Sequence, residues 1–411
     1  MCDTFCVRRP GGMLFAKSSD RPVDEPQVLE WLRGRPSGDS VRTTYLTIPD
    51  AGAVDVLGSR PTWMWGLEHG INRHRLAIGN EKVWTVDDPR AAPDALVGMD
   101  LVRLALERAA TADQAVDVLA GLLDDHGQGG SGEEGGDEPY WSSFLVVDPD
   151  GGWVVETSGR SWVAAPVGEG AAISNRLTLS TEWTRSSPDV DPGSDWDQRR
   201  SPAAPTGIAD HRLAATRRCI SGGDAVTPQH AVAALRDHGD GPWGEPGASG
   251  DPTPVPADVH DDWSGVTVCM HVRGYQCTTA SMVADLPADP EQPQRVWAAS
   301  GTPCSSVYLP VGVIGNEAVV PSVLGDVDAW RSFSALSRTV ERPGQDGGDA
   351  LAAIRASLAP VEATAWADAD ELWDSRAGAD RWRQAAAGWD RLVRDAVAAA
   401  RSATAATRPA V

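Results

Sequence analysis

Apolar positions in the first part of the chain come in short runs bounded by turn residues, the pattern of strands rather than of long amphipathic helices. Thr4 to Val7 and Met13 to Ala16 flank Arg9-Pro10-Gly11-Gly12, which predicts a hairpin whose first strand begins at Cys2. Further strands are predicted at Thr44 to Ile48, Val54 to Leu57, Leu76 to Gly79, Phe144 to Val147, Trp153 to Glu156 and Ser161 to Ala164, with Asp148 to Gly152 as a second hairpin turn. Between them Val97, Leu101, Leu104 and Ala105 recur at helical spacing, and Thr111 with Gln114 reads as a capping box opening another helix.

A second β-rich part follows, at Val266 to Met270, Thr278 to Val283, Arg295 to Ala298 and Ser305 to Val311. Three low-complexity stretches, Gly127 to Asp137, Ser187 to Thr206 and Gly239 to Pro256, read as surface insertions. After Gly347 the pattern turns helical, with Leu351, Ile354, Leu358, Leu372, Trp382 and Trp389 as the apolar positions. Antiparallel strand runs with helices between them give an α+β fold, divided as residues 1–320 for the main domain and 321–411 for a helical extension docked on it.

Composition narrows the function classes. The 411 residues are 41% hydrophobic and 23% charged, as in a soluble globular protein, and the apolar runs are too short to span a membrane. The net charge is −22, and Lys17 and Lys82 are the only lysines, so a nucleic-acid face is not expected. This acidity fits either concentrated salt or a codon bias. Arg8 and Arg9 stand where a secretory leader needs its apolar segment, and the six scattered cysteines lack the spacing of a disulfide scaffold, which together predict a reducing cytoplasmic setting.

Cys2 follows the initiator methionine, and its small side chain permits methionine removal. An amino-terminal cysteine joins a thiol nucleophile to an α-amine with an ordinary pKa of about 7.7–8.0, so nucleophile and base become one residue. By position alone, a half-buried strand cysteine is the better reading. The surrounding blocks change the balance: Met1-Cys2-Asp3-Thr4, Lys17-Ser18-Ser19-Asp20-Arg21-Pro22, Ser59-Arg60-Pro61-Thr62-Trp63-Met64-Trp65-Gly66 and Gly79-Asn80-Glu81-Lys82-Val83-Trp84-Thr85. Gly98-Met99-Asp100-Leu101-Val102-Arg103, Ile173-Ser174-Asn175, Val268-Cys269-Met270-His271 and Thr278-Thr279-Ala280-Ser281-Met282-Val283 follow in order.

This ordered series, over roughly residues 1–312, resembles the secernins and the C69 (U34) dipeptidase family, within the N-terminal nucleophile hydrolases. The resemblance implies a four-layer αββα sandwich and a cysteine-dependent amide hydrolase, most simply a dipeptidase. It places the nucleophile on Cys2, a basic residue on Lys17, a carboxylate on Asp20, and asparagines on Asn80 and Asn175, with Arg212 as the match to a later arginine. On this reading Asp20 orients the α-amine, Lys17 favours thiolate, and Asn80 and Asn175 donate to the oxyanion. The alternatives are an exposed charged turn for Lys17 and Asp20, and strand-end asparagines bonding their own backbone.

The substrate pocket is expected from Trp63, Trp65, His271, Arg273, Thr279 and Ser281, and the excess of charged over large apolar residues in the matched blocks favours a small peptide or amide with a charged end. An acylase for non-peptide amides and a non-catalytic interaction protein are the competing functions. No cofactor is needed. Cys269, His271 and Cys277 carry ligating atoms, but no Cys-x-x-Cys pair occurs and a fourth ligand is missing, so zinc is not expected. A Cys269–His238 nucleophile pair lacks any local signature. No nucleic-acid or membrane partner is expected, and a homo-oligomer is compatible with the sequence.

Overall fold

A computed structural model describes residues 1–202, 204, 206–239, 266–272, 274–341 and 347–406. The expected hairpin forms: the strands Cys2–Arg9 and Gly12–Pro22 pair antiparallel with Cys2 opposite Ser19. They lie inside an antiparallel sheet that runs, edge to edge, through Gly170–Ile173, Cys2–Arg9, Gly12–Pro22, Gln276–Pro287, Arg295–Ser300, Leu309–Ile314 and Glu317–Val319, with His271–Val272 paired to Gln276–Pro287. A second sheet runs through Arg185–Ser186, Ser161–Pro166, Gly151–Ser158, Trp141–Asp148, Ala77–Val83, His69–Asn72, Val56–Pro61 and Gln27–Leu32.

The two sheets stack face to face. Cys6, Phe15, Leu145, Val147, Ile71 and Val83 belong to one buried cluster that also takes in the helices outside the first sheet. Helices Thr206–Ile220 and Pro228–Leu235 cover the outer face of the first sheet, and Gly98–Arg108 with Ala112–Asp125 cover that of the second. The architecture is therefore the α+β, αββα sandwich. Strands covered on both faces read as continuous apolar runs instead of alternating ones, which is why short runs identified them.

Local signals held at the turns and caps. Gly11 takes φ +85° in the first hairpin, and Thr111 Oγ1 accepts from Gln114 N to start Ala112–Asp125. Three expectations shift. Residues 44–46 are a bend, and the strand is Thr47–Asp50. Residues 266–270 are irregular before the short strand His271–Val272, and Pro303–Ser305 is a 3₁₀ turn before the strand Leu309–Ile314. Beyond Gly239, the Gly/Pro-rich insertion lies outside the described residues.

Helices Val327–Val340, Gly347–Asp374 and Ala379–Ala406 follow the last strand and share the first sheet's hydrophobic cluster. A chain of tryptophans crosses that junction, with ring centroids 5.1 Å apart for Trp297–Trp373, 5.3 Å for Trp373–Trp382 and 6.1 Å for Trp382–Trp389. Among the described residues, no helix is long and apolar enough to cross a membrane.

Candidate functional site

Strand alternation decides what surrounds Cys2. Cys2 and Thr4 point to the second sheet, where Cys2 Sγ lies 3.9 Å from Glu68 Oε2 and Thr4 Oγ1 donates to Glu81. Asp3, between them, points the other way and accepts from Arg212 on the Thr206–Ile220 helix. The neighbouring strand repeats the rule. Lys17, Ser19 and Arg21 reach Glu81, His69 and Glu68 of the second sheet, while Asp20 faces Arg212.

The thiol is buried, and burial pushes Cys2 up to about 11, against the pull of the Lys17 ammonium and with Glu68 adding to the rise. At neutral pH the side chain is a thiol and needs a base. Lys17 is fully buried and donates to Asn80 O at 2.8 Å and Ser18 O at 3.3 Å, with Glu81 Oε1 at 3.5 Å. Burial opposes its charge, but the negative groups around it, an ionised Cys2 foremost and then the Glu81 and Glu68 carboxylates, hold the ammonium above its ordinary range. Gly79 makes room for this side chain, since a Cβ there would stand 2.4 Å from Lys17 Cδ.

The backbone N–H of Cys2 donates to Asn175 Oδ1 at 2.9 Å. Thr4 pairs with Ile173, so continuing the antiparallel register places Asn175 beside Cys2, its side-chain oxygen taking the part of a strand carbonyl. The same oxygen accepts from Arg212 Nη1 at 3.0 Å, and Asn175 Nδ2 donates to Lys82 O at 2.9 Å. Arg212 completes the cage, fully buried, with Nε 2.8 Å from Asp3 Oδ2 and Nη2 2.7 Å from Asp20 Oδ2. Asp20 also accepts from Thr278 Oγ1 at 2.6 Å; burial raises its carboxyl while Arg212 opposes the rise.

Asn80 Nδ2 is spent only on the Met99 thioether at 3.6 Å, a weak acceptor, and its Oδ1 is buried without a hydrogen bond. Met1 occupies the strand position before Cys2. Its ammonium donates to Asp20 O at 3.2 Å and Gln276 Oε1 at 3.1 Å, and its carbonyl accepts from Asp20 N at 2.8 Å.

Cys2, Asn175, Arg212 and Asp20 thus form one hydrogen-bonded cluster; Lys17 acts on the Cys2 thiol through its charge, and Asn80 is tied to Lys17 through its carbonyl. Two of the expected roles change. Asn175 Oδ1, not Asp20, takes the Cys2 N–H, because Asp20 faces the helix layer and is held by Arg212 and Thr278. Asn175 Nδ2 is engaged by the Lys82 carbonyl, which leaves Asn80 as the asparagine with a donor to spare.

The expected pocket residues mostly fall elsewhere. Trp63 is half-buried against Met64, Val97 and Met99, its Nε1 donating to Glu25 at 3.3 Å, and Glu25 binds Arg21. Trp65 packs on the outer helix layer with the Arg103 guanidinium 4.0 Å from its ring centre. Thr279 and Ser281 are buried strand ties, donating to Ser19 O and Lys17 O at 3.1 and 2.8 Å. His271 lies among Cys269, Cys304 and His238. Arg273 lies outside the described residues.

Sequence reasoning missed Glu68, Arg21 and Thr278 as parts of the cluster. Arg21 stands in a matched block and Glu68 two residues beyond another, both legible as charges, but only the sheet stacking pairs them. Thr278 comes opposite Asp20 because the register slips between Thr278 and Ala280, a bulge that leaves no mark in Thr278-Thr279-Ala280.

The fold and site define a stacked two-sheet sandwich whose first strand opens on a buried cysteine, caged by an asparagine, an arginine and two aspartates. No family model matches the chain. Among solved structures it is similar to penicillin V acylase from Agrobacterium tumefaciens, at 12% identity and TM-score 0.44 over 77% of this chain and 88% of that one. It is similar also to the C2A mutant of conjugated bile acid hydrolase from Clostridium perfringens, at 11% identity and TM-score 0.43 over 78% and 96%. The Caenorhabditis elegans ortholog of N-acylethanolamine-hydrolyzing acid amidase matches at 12% identity and TM-score 0.37 over 71% and 94%.

Proposed function

We propose that the chain is an N-terminal nucleophile amide hydrolase in which processing leaves Cys2 at the amino terminus, and that its substrates are small peptides with a free amino end, dipeptides first. The observation that carries this reading is the bond from Cys2 N to Asn175 Oδ1. A free α-amine at that position keeps an acceptor that is itself fixed by Arg212, so its lone pair is held beside its own thiol.

In the proposed cycle the neutral amine takes the thiol proton and the sulfur attacks the amide carbonyl. The oxyanion accepts from Asn80 Nδ2 and from the Asp20 N–H that Met1 now occupies. The α-ammonium returns its proton to the departing nitrogen, and water deprotonated by the same amine cleaves the thioester. The Lys17 ammonium steadies the negative charge that develops on sulfur.

The contacts of Met1 support the substrate class. Its departure frees two acceptors, Asp20 O and Gln276 Oε1, beside one donor, Asp20 N, a set complementary to an ammonium next to a carbonyl. An apolar acyl chain would leave both acceptors unmet. Trp65 facing the other way further reduces the apolar surface open to such a chain.

The test is a hydrolysis panel of free dipeptides, their N-acetylated forms, penicillin V and a fatty amide, with Cys2→Ala as the blank. Free dipeptides should be turned over fastest, and Gln276→Leu should raise their KM without a like change for the acetylated forms. Faster cleavage of penicillin V or the fatty amide than of every free dipeptide would replace this reading with the acylase one.

A further inference from the structure

Beside the Gln276–Pro287 strand of the first sheet, four ligating side chains converge from well-separated parts of the sequence. They are His238 after the Pro228–Leu235 helix, Cys269 and His271 at the approach to the Gln276–Pro287 strand, and Cys304 in the Pro303–Ser305 turn. One ligating atom from each lies within 4.8 Å of all the others. His271 Nε2 is 3.1 Å from Cys304 Sγ and 3.6 Å from Cys269 Sγ. Tetrahedral zinc, with bonds of about 2.3 Å to sulfur and 2.0–2.1 Å to nitrogen, sets its ligand atoms roughly 3.3–3.8 Å apart.

We infer that His238, Cys269, His271 and Cys304 form a structural zinc site of two cysteine and two histidine ligands. The sequence predicts no zinc, because Cys269, His271 and Cys277 offer three ligating side chains without a fourth. The structure replaces Cys277 with Cys304 and adds His238, each 33 positions from His271 in the chain, a separation no spacing rule reads.

The surroundings of His271 fit a ligand. Its Nδ1 is 2.9 Å from Glu341 Oε1 and 3.2 Å from Ser337 Oγ, at the end of the Val327–Val340 helix. A carboxylate on the far ring nitrogen fixes the tautomer and aims Nε2 at the metal, the usual support of a zinc-bound histidine.

The same atoms, Cys304 Sγ, His271 and Glu341, line up as a nucleophile triad. That reading uses only Cys304, His271 and Glu341, whereas a zinc ion engages Cys269 and His238 as well. Four closed protein ligands are what a structural ion needs and a catalytic one avoids.

The ion would also brace the proposed catalytic cage. Met270, between two of the ligands, donates its N–H to Thr278 Oγ1 at 2.9 Å, and that hydroxyl donates to Asp20. Zinc therefore joins His238 to Cys269 and holds Met270 against the Thr278–Asp20–Arg212 chain. Binding releases the two thiol protons and needs no other reactant.

The experiment is elemental analysis of the freshly purified full chain, prepared without chelator. The expected result is roughly one zinc per chain, its removal by a chelator lowering the melting temperature and its return restoring it. Cobalt added to the metal-free protein should give the intense visible bands of tetrahedral thiolate coordination. Cys304→Ser and His271→Asn should lose most of the zinc, while Cys277→Ser should keep it. Metal-free wild-type protein that gives no such cobalt spectrum would overturn the proposal, whatever the variants do. A Cys269–Cys304 disulfide in that protein, or alkylation of Cys304 by an amide-like probe, would overturn it in favour of a redox pair or a second nucleophile.

Discussion

The Cys2 backbone nitrogen and the Asn175 side-chain oxygen stand 2.9 Å apart, and that oxygen also accepts from Arg212 at 3.0 Å. A strand-end asparagine thereby links the Cys2 nitrogen to a buried guanidinium. The guanidinium is in turn fixed by Asp3 and Asp20, one from each strand of the first hairpin. Backbone register, not side-chain chance, sets the geometry.

Asn175→Ala removes the acceptor shared by Cys2 and Arg212. Losing a hydrogen bond to a charged group of this kind is worth about 1.5–3 kcal/mol, so kcat should fall about 10- to 100-fold. Steady-state kinetics beside a melting curve checks this: a lower melting temperature with unchanged kcat would leave Asn175 as a strand tie only. The mass of the active protein should begin at Cys2, and activity in protein that retains Met1 would contradict the role given to the amine.

Asn80→Ala should lower kcat by roughly 10²–10³, with a smaller change in KM, because its amide meets a strong acceptor only when the oxyanion forms. A residue that merely packs on Met99 would lower stability and leave kcat alone.

Much of this arrangement was legible in the chain. The hairpin around Pro10-Gly11 and the apolar runs gave the sheets their strands, and the family-like blocks held Cys2, Lys17, Asp20, Asn80 and Asn175, with Arg212 outside them as the match to a later arginine. The roles were less legible, because they depend on which face of a strand a residue takes. Asp20 follows Ser19 by one position, and that one step turns it from the Cys2 side to Arg212. Trp65 differs from Trp63 by two positions yet faces the helix layer, since both lie in the bend after the Val56–Pro61 strand, where alternation no longer holds. The Cys304–His271 contact joins a 3₁₀ turn to a two-residue strand, and no local pattern announces it.

Arg212→Met leaves Asp3 and Asp20 buried together without their cation. Breaking such a pair costs about 3–5 kcal/mol, read as a lower urea midpoint at unchanged slope. Adding Asp3→Asn to Arg212→Met should recover part of that loss, since one of the two stranded charges is then gone. If the double variant is no more stable than the single one, the penalty comes from lost packing and not from charge.

Burial of Glu156 sets the sign of that group's own contribution to the pH dependence of stability. Burial raises its carboxyl to about 7, against hydrogen bonds from Thr178 and Leu179 that lower it. The folded chain therefore holds a proton that the unfolded chain, with an ordinary carboxyl, gives up at lower pH. A raised carboxyl contributes its full stability below the unfolded value and loses it as pH climbs through the folded one. From pH 4.5 to 7 this group alone should cost stability, on the order of 3 kcal/mol. Glu156→Gln carries no such proton, so its unfolding free energy, though lower overall, should change less between pH 5 and 8 than that of the parent. Equal slopes for the two proteins, measured by urea unfolding across that range, would show that Glu156 stays ionised in the fold.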